Sequence, residues 1–134
     1  MASDRLGRTE VTLRKVLFDS SFLMSVSENP TEWREGIGGL IGSFEPVLLD
    51  CVKEELVAIS ASQGKKAGLA KVALQLAAGF MPGPCGRAKV DDELVSAALG
   101  SGAAVATVDR TLTATLRAAH VDVVGLSSGR VRLV

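Results

Sequence analysis

The chain has 134 residues, 47% of them apolar and 22% charged, which gives one domain enough material for a buried core and excludes a disordered or fibrous chain. Its 15 basic and 15 acidic side chains cancel, so no global field draws it to nucleic acid or an anionic membrane, and affinity for RNA must come from a local basic patch. One histidine and two cysteines without a CxxC pair exclude a Cys/His zinc cluster and a disulfide framework, and a reducing cytoplasm is the expected setting.

Met1 to Lys15 is polar and mixed in charge, unlike a signal peptide, and an N-terminal extension is expected over 1–14 with one domain over 15–134. Lys15 to Phe18 reads as a buried strand, and Asp19-Ser20-Ser21 after it as the capping residues of a short helix. Loop formers dominate from Asn29-Pro30 to Gly42, with a weak helix near 32–41. Pro46 to Leu49 is a second buried strand, and Asp50 is expected to cap the next helix. A helix from Lys65 to Ala78 carries an unusually wide apolar stripe, Leu69, Val72, Ala73, Leu76 and Ala77 on one side and Ala70, Leu74 and Ala78 on the other. The most apolar stretch, Ala67 to Met81, is too short to span a bilayer and carries Lys71 and Gln75.

Phe80 to Val90, with Pro82, Gly83, Pro84 and Gly86, reads as a loop, and Asp91-Asp92-Glu93 opens a helix whose first turn they suit electrostatically. Ala103 to Val108 is a strand ending at Asp109, expected to cap a helix over 110–119. Val121 to Val124 and Val131 to Val134 are the last strands, separated by Ser127-Ser128-Gly129. Strands alternating with helices imply a three-layer α/β/α sandwich around a central parallel sheet.

In a parallel sheet, the positions just past each strand lie at one edge. Asp19, Glu55, Asp91, Asp92 and Asp109 all follow an apolar run or sit in the helix after one. Taken singly, Asp50, Asp91 and Asp109 are helix caps and Glu54 or Glu55 is a solvated charge. Taken together they are a problem, because two carboxylates about 4 Å apart repel by about 1 kcal/mol in water and about 4 at an effective dielectric of 20. A divalent cation resolves that crowding, so the pattern points to a metal-dependent hydrolase of phosphodiesters.

These residues resemble a PIN domain over Lys15 to Val134. The segments VLFDSSFL, LLDCVKEEL, VDDELVSAA and VATVDRTL carry the resemblance, and the second and fourth are similar to the branch that processes small-subunit ribosomal RNA and its archaeal relatives. The resemblance implies an acidic pocket at the carboxyl ends of the strands, with Asp19, Glu55, Asp92 and Asp109 in catalytic and metal-holding positions and Asp91 beside them. Where relatives often carry a further acid, this chain has Thr111, which puts a second metal in doubt.

An all-oxygen donor set suits Mg²⁺ or Mn²⁺. Asp19 and Asp92 are expected to contact the ion, Glu55 directly or through water, and Asp109 to position the attacking water. Ser20 and Thr107 are expected to orient these ligands. The implied activity is cleavage of single-stranded or unpaired RNA, in ribosomal RNA processing or RNA turnover, leaving a 5′-phosphate and a 3′-hydroxyl.

Arg87, Lys89, Arg110, Lys65 and Lys66 form the candidate basic rim, a set that would position phosphates without reading sequence. With no tyrosine, one tryptophan and four phenylalanines, base stacking is not a theme, and sequence choice falls to RNA shape or a protein partner. Gly36 to Gly42 fails the GxGxxG spacing, His120 suits a helix-end or packing role, and Cys51 reads as core. Two other classes stay open: a toxin ribonuclease of the VapC type, needing an antitoxin in the pocket, and a PIN-like module that only binds RNA or protein. A phosphoacceptor receiver would want an acid pair after the first strand and a lysine after the last, where this chain has Asp19-Ser20 and Gly125-Leu126. The wide apolar helix over 65–78 predicts a homodimer.

Overall fold

Three consecutive apolar residues, Val16, Leu17 and Phe18, form a deeply buried strand segment because both faces of the sheet are covered at that point. The computed structural model describes residues 13–134, so most of the expected N-terminal extension lies outside the described residues. Strand β1 (Arg14–Phe18) is followed by helices α1 (Ser20–Glu28) and α2 (Trp33–Ile41), then β2 (Phe44–Leu49), α3 (Asp50–Ser60) and α4 (Lys65–Leu76). After β3 (Met81–Gly83) come α5 (Val90–Ser101), β4 (Ala104–Ala106), α6 (Arg110–Ala118), β5 (Val123–Ser127) and β6 (Arg130–Leu133). The sheet order is β3-β2-β1-β4-β5-β6. Helices α1, α3 and α4 pack together, as do α5 and α6, giving the expected helical layers.

The chain builds outward from β1 in one direction through β2 and β3, then returns to β1's other side with β4. Such a reversal opens a crevice at the carboxyl ends of β1 and β4, where ligands bind in open α/β sheets. Phe18 pairs with Ala106 in parallel register, so the residues that follow each strand come out side by side. Phe18 also meets the rings of Phe22, Trp33 and Phe80 at centroid distances of 5.6, 5.2 and 5.0 Å. That cluster fixes the backbone immediately before Asp19.

Several expectations need correction. The stretch expected to be only loop contains β3, whose Pro82 and Gly83 are tolerated because β3 is an edge strand. At Gly83 an added Cβ would stand 2.7 Å from Leu49 Cδ2, so a larger residue there needs the Leu49 side chain to move. The sheet is mixed, because β6 runs antiparallel to β5 through a two-residue turn in which Ser128 and Gly129 both take positive φ, 51° and 74°. Asp50 is the first residue of α3 and makes no capping bond, and Asp91 lies inside the first turn of α5 with Lys89 at the cap.

Cys51 and Cys85, 34 positions apart, are joined as a disulfide with Cα atoms 5.9 Å apart, which corrects the expectation of unpaired cysteines, while Cys51 packs against the core as expected. The pairing also removes the premise from which a reducing cytoplasm is expected. Helix α4 buries Ala67, Ala70 and Ala73 against α1 and α3, with Ala77 buried just past its end, and leaves Val72 and Leu76 exposed. Small residues let these helices approach closely, so the large side chains of the expected stripe face outward or stand at its margin. No helix among the described residues is long and apolar enough to cross a membrane.

Candidate metal and phosphodiester site

Asp19 begins where β1 stops. Its backbone N–H donates to the Ala106 carbonyl at 2.9 Å, continuing the β1–β4 ladder one residue past the strand. It occupies the cap position of α1 without making a capping bond, and it is one of two buried polar residues among the described residues, the other being Thr107. Instead, Oδ2 of Asp19 accepts from Thr107 Oγ1 at 2.7 Å and from Ser21 Oγ at 2.5 Å. Both bonds fall on the same oxygen. Oδ1 takes no hydrogen bond from the described residues and is not a buried orphan, so it is the oxygen that faces water or a ligand.

The two hydroxyls that hold Asp19 are themselves held. Val108 N–H donates to Ser21 Oγ at 3.1 Å, and Asp109 N–H donates to Thr107 Oγ1 at 3.1 Å. Asp109 caps α6 through Oδ1, which accepts from Leu112 N–H at 2.8 Å, so its place is fixed by helix geometry. On the other side of β1, Ser20 Oγ donates to Glu55 Oε1 at 2.5 Å and ties the start of α1 to α3. Ser20 and Thr107 thus touch the acids they are expected to orient. Ser21 is an addition to the expected set, because Asp19-Ser20-Ser21 reads in sequence only as a helix cap.

Asp91 opens to solvent at the mouth of the site but lies within the combined field of the other acids. Partial desolvation, followed by the charges of Asp19, Asp109, Glu55 and Asp92, pushes its carboxyl above the ordinary value of 3.8. Residues from four separate stretches of chain therefore share one electrostatic neighbourhood. The adjoining Glu93 is occupied structurally, since its carboxylate accepts from Gly86 N–H at 2.6 Å and Ala88 N–H at 3.1 Å and so pins the loop that leads into α5. Among the described residues, no three Asp, Glu, His or Cys side chains stand close enough to hold one ion directly. The donor set nonetheless fits Mg²⁺ or Mn²⁺, which keep several waters and take one or two carboxylates from a protein.

Of the basic residues, Lys65 and Lys66 line one groove and Arg110 another. Lys65 pairs with Glu28 at 3.4 Å, and with Lys66 it lines a groove against the end of α1. Arg87 and Lys89 are exposed on the loop before α5, next in sequence to the acids. Arg110 lines a different groove, beside Thr107. Thr111, Glu54 and Asp92 are exposed.

A family model described as a PIN like domain matches residues 16–129. No curated protein matches the sequence. Among 19 chains of known structure that match is one titled as the PIN domain endonuclease Utp24, with a TM-score of 0.75, 22% identity, and coverage of 89% of this chain and 90% of that one. At that identity the likeness is one of fold, and it agrees with the sheet order and helical layers described above. With the family model covering nearly all of the described domain, the chain belongs to the PIN-like domain family.

Proposed function

We propose that the protein is a metal-dependent endoribonuclease cleaving single-stranded or unpaired RNA. The observation that carries this reading is the joining of Asp19 and Asp109 through Thr107 at the carboxyl ends of β1 and β4, within a field of acids that raises the Asp91 carboxyl and that a divalent cation would relieve. Such an ion, when bound, lowers the pKa of a coordinated water and offsets charge building on the phosphoryl oxygens. Asp19, through Oδ1, and Asp91 would hold it, with Glu55 reaching through water in the orientation set by Ser20. Asp109, with Oδ2 free of the capping bond, would orient the attacking water and accept its proton. Asp92, expected to contact the ion, would hold it with Asp19 and Asp91.

In the proposed role the substrate is RNA, in ribosomal RNA processing or turnover, and a second copy of the chain covers the exposed Val72 and Leu76 of α4. The test is cutting of a labelled single-stranded RNA with Mn²⁺ or Mg²⁺ by the parent, Asp19→Asn and Asp91→Asn. Loss of product in both variants supports the reading, and parent-like cutting by both defeats it. The lack of three carboxylates within direct reach of one ion, among the described residues, favours a second reading, a module that binds RNA or protein without cutting. RNA binding with no metal-dependent product from the parent would decide for that alternative.

A further inference from the structure

Helix α6 starts at the acids and leads away from them, and one of its faces lines a groove of about 340 Å³ that the acidic site does not use. Arg110, Thr113 and Arg117 line it at positions i, i+3 and i+7, one face of a helix, while Leu112 and Leu116 are buried on the other. At the helical rise, the two arginines are about 10 Å apart along the axis. Val108 and Leu126 form an apolar floor, and no aspartate or glutamate lines the groove.

The hydroxyls are already committed: Thr113 Oγ1 donates to the Asp109 carbonyl at 2.7 Å and Thr107 Oγ1 to Asp19. The donors left for a ligand are therefore the two exposed guanidinium groups. A guanidinium offers a planar fork that matches phosphate oxygens, and two of them in a row suit successive anionic groups of an extended polymer better than one compact anion. The lining holds no aromatic ring, so it offers contacts to backbone and none of the stacking that bases require. Arg117 in the last turn also suits the helix dipole, a role compatible with a bound phosphate.

We infer that the groove along α6 is the track for the phosphodiester backbone of single-stranded RNA on one side of the cut, with Arg110 and Arg117 each taking a phosphate. The inference rests on the nuclease reading above, and it extends the binding surface to a residue well beyond the acids.

The experiment measures binding of a short labelled single-stranded RNA to the full chain carrying Asp19→Asn, without divalent ion, across a series of KCl concentrations. Each phosphate contact on a single strand contributes about 0.7 to the slope of log affinity against log salt. Adding Arg117→Ala is expected to lower that slope by about 0.7, and Arg110→Ala with Arg117→Ala by about 1.4. Arg117→Lys is expected to retain the slope, which separates loss of charge from loss of fold. Lys71→Ala, on the exposed side of α4, is the control and is expected to change nothing. A parent-like slope for Arg117→Ala, an equal loss for Lys71→Ala, or no RNA binding at all overturns the inference. Because nothing is cut in this assay, its outcome is independent of whether Asp19→Asn abolishes cleavage, which tests the nuclease reading by itself.

Discussion

Thr107 Oγ1 donates to Asp19 Oδ2 at 2.7 Å, joining the ends of β4 and β1 across 88 positions of sequence. Both residues are buried, and the same hydroxyl accepts from Asp109 N–H, so one threonine positions two of the acids. Replacing it by valine keeps the shape, removes the hydroxyl and leaves both partners short of a bond. A hydrogen bond to a charged group contributes about 1.5–3 kcal/mol, and Thr107→Val should lower stability in urea by about that amount. Cleavage should fall by about 10- to 100-fold, the usual cost of losing a group that orients a metal ligand. Unchanged stability and activity would mean that the bond has no part in holding Asp19.

The raised carboxyl of Asp91 sets a pH dependence. The folded chain holds that proton more tightly than the unfolded chain, so stability decreases as pH rises from about the ordinary 3.8 through the higher folded value. Asp91→Asn removes this slope and relieves the repulsion, and the variant should be more stable than the parent at neutral pH without metal. Added Mn²⁺ should narrow that difference by stabilising the parent more. Thermal melts across pH, with and without Mn²⁺, measure both effects, and a stability difference between Asp91→Asn and parent that fails to grow with pH over that window contradicts the account.

The disulfide between Cys51 and Cys85 ties the start of α3, which carries Glu55, to the loop that enters α5. Disulfides contribute typically about 2–4 kcal/mol, and Cys85→Ser should cost stability on that scale. Thiol titration of the denatured, unreduced protein checks the pairing directly, and two reactive thiols per chain would show that the bond is absent.

Helix α2 lies against β6 at Gly36, where an added Cβ would collide with a Val131 methyl group. Gly36→Ala should therefore destabilise the chain by about 1–3 kcal/mol despite alanine's better helix propensity. A gain in stability would place α2 elsewhere.

Much of the fold is legible in the sequence because its signals are local. Val16 to Phe18 is a continuous apolar run ending at an acid, the pattern of a strand buried on both faces that stops at a ligand edge. Asp109 reads as a helix cap, and its side chain does cap α6. The features that escape such a reading depend on partners that no local window contains. Strand β3 is held by β2 despite Pro82 and Gly83, and the two cysteines meet only after the sheet has formed. The Ser128-Gly129 turn is visible as a loop, but its length of two residues also dictates that β6 returns antiparallel, a consequence the strand pattern alone does not reveal. At the site, the acids follow from their places after strands, whereas the bond from Thr107 to Asp19 spans 88 positions and lies in no local window.

The proposed chemistry depends most on a single ion lying between Asp19 and Asp91, and anomalous diffraction from a crystal soaked in Mn²⁺ measures that position without any substrate. A peak within coordinating reach of Asp19 Oδ1 and the Asp91 carboxylate, with Glu55 reached directly or through water, is the predicted result. Manganese bound only away from these side chains, or none bound while the protein still cuts RNA, would contradict it.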